Sequence, residues 1–576
     1  MPRAVAPSFA GLPGGPAGSL RADLLAGLTV WAVLVPESLA YATIAGVSPV
    51  VGLYAAVPAL VLYAVLGSSR HLVVAPMSAT AALSIGVVGT VAGPGANAAT
   101  TAALTAGLAL AVGLVALVAG LLRLGFLSAF ISEPVLKGFI IGLALTIMIG
   151  QVPALLGTSK GSGNFFEKAW HVLTHLGEAH LLTVAIGAGS LAALLLLRRF
   201  LPLVPGSLVV ALAGIAAVAV LGLDDHGLDV VGTIRSGLPS VGLPDVSYDQ
   251  AVSLLGGATG VMLVGFAEGL GAAKTYAERA GYDIDANEEL LGLGAANVGA
   301  GLTSGMVVNG SLSKTAVNGG AGARTQLSNL SVAVLTVVTL LFLTGLFEKL
   351  PETTLAAIVI AAVVELVDVA SLRRLYRART SAVASINRLT SRSDFVAAAA
   401  ALAGVLVFDT LPGLAIGVAI SLVLLIARTS RPYVATLTPV GSGPQRVWVD
   451  VERNPGHPPL PGVLVVRVEG PLMFANAEFV RSRVRRLAAD AEDLRLVVLD
   501  GRATPSVDVT AAGMLVQLRT DLARSGVELR LAEDVGQVRD VLRRAEPDKE
   551  PALYPDIAAA VAHLPDRPAD PDDADG

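Results

Sequence analysis

The sequence predicts an all-α polytopic membrane domain of fourteen segments followed by a small cytoplasmic α/β domain. Three observations lead there. Of 576 residues, 54% are hydrophobic and only 15% charged, and a mean hydropathy of +0.70 is too apolar for a soluble globule of this size. From Asp23 to about Thr429, apolar stretches approaching the ~20 residues that a bilayer requires follow one another almost continuously. After Tyr433 charges become frequent, and β-branched runs alternate with amphipathic ones.

Residues 1–20 are rich in Pro and Gly and lack an apolar core. They read as a disordered lead-in rather than a cleaved signal peptide, so the first span is retained. The membrane domain covers residues 21–432, with segments centred near residues 34, 58, 84, 111, 144, 190, 213, 262, 295, 315, 336, 360, 401 and 420. The third and tenth are too short or too interrupted to be ordinary spans. Residues 433–564 form the second domain. Strands are expected at Val463–Glu469, Leu494–Asp500 and Val527–Ala532, and helices near 476–489, 510–525, 535–544 and 557–563. The acidic, Pro-rich tail at 565–576 reads as disordered.

Basic residues mark alternate loops, among them Arg3 and Arg21, Arg70, Arg123, Arg198 and Arg199, Lys274, Arg324, and the run 372–392, whereas the loop 221–249 is acidic. The positive-inside rule then places the amino terminus and the second domain in the cytoplasm, with the chain in the inner membrane. With no cysteine, disulfides and thiol catalysis are excluded. A net charge of −5 gives no support for nucleic-acid binding. No phosphate-binding glycine motif and no nucleophile–base constellation appears, so an enzyme is not expected and no cofactor is implied. His171, His175 and His180 lie close in sequence but lack carboxylates at metal spacing.

The candidate site comes from an internal repeat. Glu37 and Glu268 each sit in an apolar segment as E-x-L, 231 residues apart, and each is followed by a broken, serine-bearing stretch, HLVVAPMSAT (71–80) and GMVVNGSLSKT (305–315), whose Val-Val pairs are 234 apart. Such a repeat in a membrane protein, with discontinuous segments at matching places, signals a secondary transporter and points to its substrate site. In the first stretch an extended piece runs into Pro76, which suits the first turn of a helix. In the second, Ser311 or Ser313 can cap the helix that follows. Two helix starts at mid-membrane would expose free N–H groups and positive dipole ends, which favour an anion.

Lys314 adds a positive charge in a first turn where the dipole disfavours it, either for function or because it snorkels to an interface. Glu268 lies in the apolar run 254–273. It is read as an ion-coupling carboxyl whose proton uptake depends on pocket occupancy, or as a sodium ligand, or as a structural hydrogen-bonding group. Glu37 is a second ion-coupling candidate, although Pro36 before it also fits a hinge.

The runs VPESLAYATIAGVSPVVGLYAAVPALVLYAVLGSSRHLVVAPMSAT (35–80) and NGSLSKTAVNGGAGARTQLSNL (309–330) resemble the signature regions of the SulP anion permeases, the bacterial relatives of the SLC26 anion transporters. VEGPLMFANAEFV (468–480) resembles the start of the STAS domain that these permeases carry. The resemblance extends over about residues 23–563. It implies a seven-plus-seven inverted repeat, a core domain that moves against a gate domain, and homodimers. It also implies an anion between the third and tenth segments, with Glu37 and Tyr41, Met77 and Ser78, and Ser311, Leu312, Ser313 and Lys314 around it. Many relatives have arginine where this chain has Lys314, and lysine lacks arginine's bidentate grip. In the antagonist proteins that STAS domains resemble, a serine follows a loop aspartate and is phosphorylated. Here Val509 follows Asp508, which removes that switch.

The function expected is secondary transport of a small inorganic or organic anion such as sulfate or bicarbonate, by proton symport or by exchange. The alternatives are sodium-coupled bicarbonate or dicarboxylate transport, and an anion sensor signalling through the STAS domain.

Overall fold

Among the described residues, fourteen apolar segments follow one another between Gly15 and Thr429. The computed structural model describes residues 15–565 apart from 94, 127–131, 202–203, 235, 378–392, 409, 442–445, 534–535 and 546–551. The amino-terminal lead-in and the acidic tail therefore lie outside the described residues, apart from Pro565 and from the segment 15–20, which already belongs to the first helix. The chain divides into two compact units, Met1–Ser421 and Leu422–Gly576.

The first half of the membrane unit runs α1 (Gly15–Ile44), α2 (Val50–Leu66), β1 (Val73–Ala75), α3 (Ser78–Ala92), α4 (Ala98–Leu121), α5 (Glu133–Leu156), α6 (Phe165–Thr174), α7 (Leu181–Phe200) and α8 (Gly206–Leu221). The second half runs α9 (Tyr248–Ala280), α10 (Ala286–Leu302), β2 (Asn309–Ser311), α11 (Leu312–Gly320), α12 (Leu327–Val338), α13 (Glu352–Val364), α14 (Val369–Arg377), α15 (Ser393–Phe408) and α16 (Thr410–Thr429). All fourteen expected segments are present; α6 and α14 are short additions between spans. Among the described residues, eight helices are long and apolar enough to cross a bilayer on their own. The third and tenth segments are the ones that contain a strand and a shortened helix.

The helices gather in two bundles. In one, α10 lies against both α2 and α4, α1 against α12, and α4 against α9; in the other, α5 lies against α13 and α15, and α7 against α8 and α13. The α4–α10 contact depends on small residues: a Cβ on Gly294 would stand 2.8 Å from Leu117 N, and one on Gly113 would stand 2.5 Å from Val298 N. Long helices also carry definite starts. Ser247 and Gln250 form a capping box at α9, and Asp285 accepts from Asn287 N–H at the start of α10.

The C-terminal unit is an α/β sandwich. Its strands are β3 (Tyr433–Val440), β4 (Val447–Asp450), β5 (Val463–Glu469), β6 (Leu496–Asp500), β7 (Glu528–Ala532) and β8 (Ala552–Tyr554), in the sheet order β4-β3-β5-β6-β7-β8. From β5 to β8 the pairing is parallel, and β3 joins antiparallel to β5 and β4. Helices α17 (Ala477–Ala489), α18 (Val509–Ala523) and α19 (Gly536–Ala545) cover one face through Val480, Leu515 and Leu542. Helix α20 (Ile557–Val561) lies on the other through Ile557 and Ala560. Strands β3, β4 and β8 add to the three expected from the sequence. Buried pairs rather than alternation run along β3, because both of its faces are covered, and β4 and β8 are only four and three residues long. Asp508 caps α18 by accepting from Ala511 N–H, and Val509 beyond it is 74% exposed.

Candidate functional site

The broken third and tenth segments meet inside the membrane unit. β1 and β2 pair antiparallel, with Val73 opposite Ser311, Val74 opposite Gly310 and Ala75 opposite Asn309. Extended backbone at membrane depth persists only where its polar groups are satisfied within protein. Side-chain amides finish what the short ladder leaves. Asn297 accepts from Val308 N–H and donates to Val308 O, both at 3.0 Å. Gln326 and Asn329 donate to Leu72 O at 3.1 and 2.7 Å, Asn318 donates to His71 O at 3.0 Å, and Thr315 accepts from Val73 N–H at 3.1 Å. Val30, Leu34, Leu60 and Val332 seal the apolar side of β1.

Each strand leads directly into a helix. α3 begins at Ser78 and α11 at Leu312, so the two starts are 312 − 78 = 234 residues apart, the same offset as the Val-Val pairs. Pro76 does not open α3 as its position suggests. It prolongs the extended stretch, and Met77 is the residue before the first helical one, with φ −136° and ψ 153°. Met77 provides no side-chain cap, which leaves the first-turn N–H groups of α3 without a side-chain partner from that position. At α11 the cap is Ser311, whose Oγ accepts from Lys314 N–H at 3.2 Å, and Ser313 Oγ lies 3.2 Å from Ser311 Oγ.

Lys314 is 1% exposed and does not snorkel. Its Nζ stands 2.7 Å from Glu37 Oε2, donates to Pro76 O at 3.4 Å, and lies 4.9 Å from the centre of the Tyr41 ring. Tyr41 donates its hydroxyl to the same Glu37 oxygen at 3.3 Å. α1 is continuous through Pro36, so Glu37 faces the site from an unbroken helix. Five expected residues, Glu37, Tyr41, Ser311, Ser313 and Lys314, thus share one cluster. Met77 and Ser78 are buried at the α3 start beside it, next to the Pro76 carbonyl that Lys314 contacts. Leu312 is 50% exposed and joins none of these bonds.

Glu268 takes part in none of these bonds. Its Oε2 is enclosed and has no hydrogen-bond partner among the described residues, and the same holds for Asn309 Nδ2. The Asn309 side chain lies against Gly265 and Gly269, the residues flanking Glu268; a Cβ on Gly269 would be 3.0 Å from Asn309 Oδ1.

A cavity of about 320 Å³ opens beside the cluster, near the lower end of the ~300–1,000 Å³ usual for ligand pockets. Glu37 and Ser313 line it from α1 and α11, and Arg198, Ser207 and Glu365 form a wall from α7, α8 and the end of α13. Sequence reasoning missed that wall, because Arg198 reads as a loop-flanking positive charge. It also missed Asn297, Asn318, Gln326 and Asn329; an amide inside an apolar segment is the signal that could have found them.

Two inverted seven-segment halves, with half-helices starting opposite one another beside a buried cation, define an anion transporter. Within that class, the chain belongs to the sulfate permease family. Residues 20–386 match the family's model and residues 451–560 match that of the STAS domain. The family is one of transporters, not enzymes. A probable sulfate transporter of Mycobacterium tuberculosis (strain ATCC 25618 / H37Rv) is 38% identical over 528 residues, 91% of each chain. Sulfate transporter 1.3 of Arabidopsis thaliana is 31% identical over 539 residues, 89% of this chain and 79% of that one. Among solved structures, the murine Solute Carrier 26 family member A9 anion transporter, described in its inward-facing state, superposes with a TM-score of 0.86 at 23% identity, covering 97% of this chain and 93% of that one. The transmembrane domain of a cyanobacterial bicarbonate transporter, BicA, gives 0.57 at 24% identity, over 71% of this chain and 97% of that one. These two likenesses establish the fold.

Proposed function

We propose that this chain moves sulfate, or a closely similar oxyanion, by secondary active transport, with a proton as the coupling ion. The observation that carries the reading is the 2.7 Å pair between Lys314 and Glu37 at the start of α11. The lysine is the only formal positive charge of the cluster, and a carboxylate already occupies it. An anion arriving at the helix starts must displace that carboxylate or meet it neutralised. A proton on Glu37 frees Lys314 for the anion, so proton and anion favour each other's binding, which is the coupling that symport requires. Tyr41 holds the Glu37 carboxyl in place through the exchange.

Sulfate is favoured by the names of the relatives that align over most of the chain. Glu268 is the second coupling candidate. With an enclosed oxygen that has no hydrogen-bond partner among the described residues, it suits a proton or a sodium ion. Movement of the α1–α4 and α9–α12 bundle against the other helices is the transport step, with the cavity between them as the path. Assembly as a homodimer follows from the family resemblance. An inner-membrane location with the amino terminus and STAS domain in the cytoplasm is supported by the basic loops.

Uptake of labelled sulfate, bicarbonate, chloride and small dicarboxylates into proteoliposomes, with and without an imposed pH or sodium gradient, tests the reading. Acid-outside accumulation of sulfate is expected. Glu37→Gln should abolish gradient-driven accumulation while exchange persists, and Glu268→Gln is compared with it. Stimulation by sodium alone would establish sodium coupling instead. No uptake of any anion, with binding retained, would leave an anion sensor.

A further inference from the structure

We propose that Arg198 is a second anion contact on the translocation path, a capture site on the α7 wall of the cavity that Glu365 occupies until substrate arrives. The proposal rests on the transport reading above and adds a residue that the repeat does not contain.

Arg198 lies in the last turn of α7, where a cation complements the carbonyl ends of the helix. That explains a basic residue there, and it explains neighbouring Arg199 equally well. It does not explain direction. Arg198 lines the cavity that also exposes Glu37 and Ser313, and its guanidinium is paired with Glu365, the residue that ends α13. The cavity thus exposes one member or both of two ion pairs: Glu37, which holds Lys314 buried behind it, and the Arg198–Glu365 pair, both of whose members line it.

The two pairs differ in burial. Lys314 is sealed, whereas the Arg198 and Glu365 side chains are 50% and 39% exposed. A half-exposed pair is held weakly and is screened by salt, so a doubly charged oxyanion competes well for the arginine. The guanidinium also has what Lys314 lacks, a planar fork that grips two oxygens of one oxyanion. An anion entering the cavity meets the weak pair first, displaces Glu365 from Arg198, and passes across to Ser313 and the helix starts. Bound at Arg198, it is held close to the site without filling it.

A latch offers the rival account of the same ion pair, and the two accounts predict opposite results. If the pair only ties α7 to α13, Arg198→Gln and Glu365→Gln both break it and shift transport in the same direction. If Arg198 captures anions, the variants diverge. The test is concentration-dependent uptake in proteoliposomes, using whichever of labelled sulfate, bicarbonate or chloride the wild-type chain accumulates best. Arg198→Gln should raise the half-saturating concentration roughly ten-fold, the low end for losing a charged hydrogen bond, with less change in maximal rate. Arg198→Lys should fall between it and wild type. Glu365→Gln, which frees the arginine, should lower half-saturation several-fold. Thermal unfolding of each purified protein shows whether it is folded, and if Arg198→Gln is not, Arg198→Lys set against Glu365→Gln carries the comparison. Shifts in the same direction, or an unchanged half-saturation in the arginine variants, overturn the capture site while leaving transport standing. A wild-type chain that moves none of the three anions overturns the transport reading and this proposal with it.

Discussion

Replacing Lys314 by methionine removes one partner of a buried ion pair and leaves the other in place. Glu37 would keep only the Tyr41 hydroxyl at 3.3 Å, at a site where Glu37 is 8% exposed. Breaking a buried pair in this way typically costs about 3–5 kcal/mol, because the surviving charge stays desolvated. At about 2 °C per kcal/mol for a large domain, the unfolding midpoint of the detergent-solubilised protein should fall by roughly 6–10 °C. Glu37→Gln alone should cost less, since Lys314 keeps the Pro76 carbonyl at 3.4 Å and the Tyr41 ring. The double variant Glu37→Gln/Lys314→Met removes both charges and should regain more than half of the loss seen in Lys314→Met. Thermal unfolding of the four proteins closes a double-mutant cycle. Additive midpoint shifts would mean that the two side chains do not interact, and the account of coupling built on them would be wrong. Both Lys314 variants should also lose anion uptake, whatever their stability.

Four further outcomes follow from the geometry. Ser311→Ala removes the cap on Lys314 N–H and should cost about 1 kcal/mol, with a raised half-saturating anion concentration in uptake assays. Gly310→Val places a branched side chain where a Cβ would already stand 2.8 Å from Leu72 Cδ2 and 3.0 Å from Gly269 Cα; overpacking of about 1–3 kcal/mol and reduced uptake are expected, while Gly320→Ala, which meets nothing within 4 Å, should behave as wild type. In the C-terminal unit, Arg467→Gln strips the 2.6 Å partner from fully buried Asp500 and should destabilise that unit by about 3 kcal/mol in denaturant unfolding followed at Trp448, whereas Arg467→Lys should cost less. Tyr433 is pushed above the usual tyrosine range by burial and by donating to Asp450 Oδ2 at 2.8 Å. Its contribution is fully present below the unfolded tyrosine pKa of about 10 and is lost as pH rises beyond it, so Tyr433→Phe should flatten the alkaline limb of stability against pH; an unchanged limb would count against that bond.

Much of this was legible in the sequence because the relevant physics is local. A span needs a run of apolar residues, so all fourteen segments, the two broken ones among them, could be read directly. A capping serine followed by a helix-forming run gave the start of α11. What escaped depends on distant partners. Glu37 and Lys314 are 277 positions apart (314 − 37), and nothing local to either residue names the other as its ion partner. Pro76 was expected to open α3, but the extended strand that pairs with β2 overrides its preference for a first turn. The wall formed by Arg198 and Glu365 was hidden for a related reason. A basic residue at a helix end satisfies the topology rule and the helix dipole at once, so its sequence signal is already accounted for.

The repeat makes Glu37 and Glu268 look equivalent, and the sequence ranks Glu268 first for coupling because it lies beside the more polar half. The fold gives them different surroundings. Antiparallel pairing brings Ala75 opposite Asn309, residues that are themselves 234 apart, so the twofold relation between the halves passes through the strand pair. A lysine in the tenth segment has no counterpart in the third, and its long side chain reaches across that axis to the carboxylate of the opposite half. Glu37 is thereby committed to a cation, and the symmetric position, Glu268, is left with an oxygen that has no partner among the described residues. On the transport reading proposed above, Glu37 acts on the anion site directly through Lys314, while Glu268 would couple a proton or cation through the movement of the bundle rather than through that contact. If the two act in the same transport cycle, Glu37→Gln should change anion affinity and coupling together, whereas Glu268→Gln should change coupling with anion half-saturation preserved. Identical behaviour of the two variants would mean that the asymmetry introduced by Lys314 has no consequence for transport.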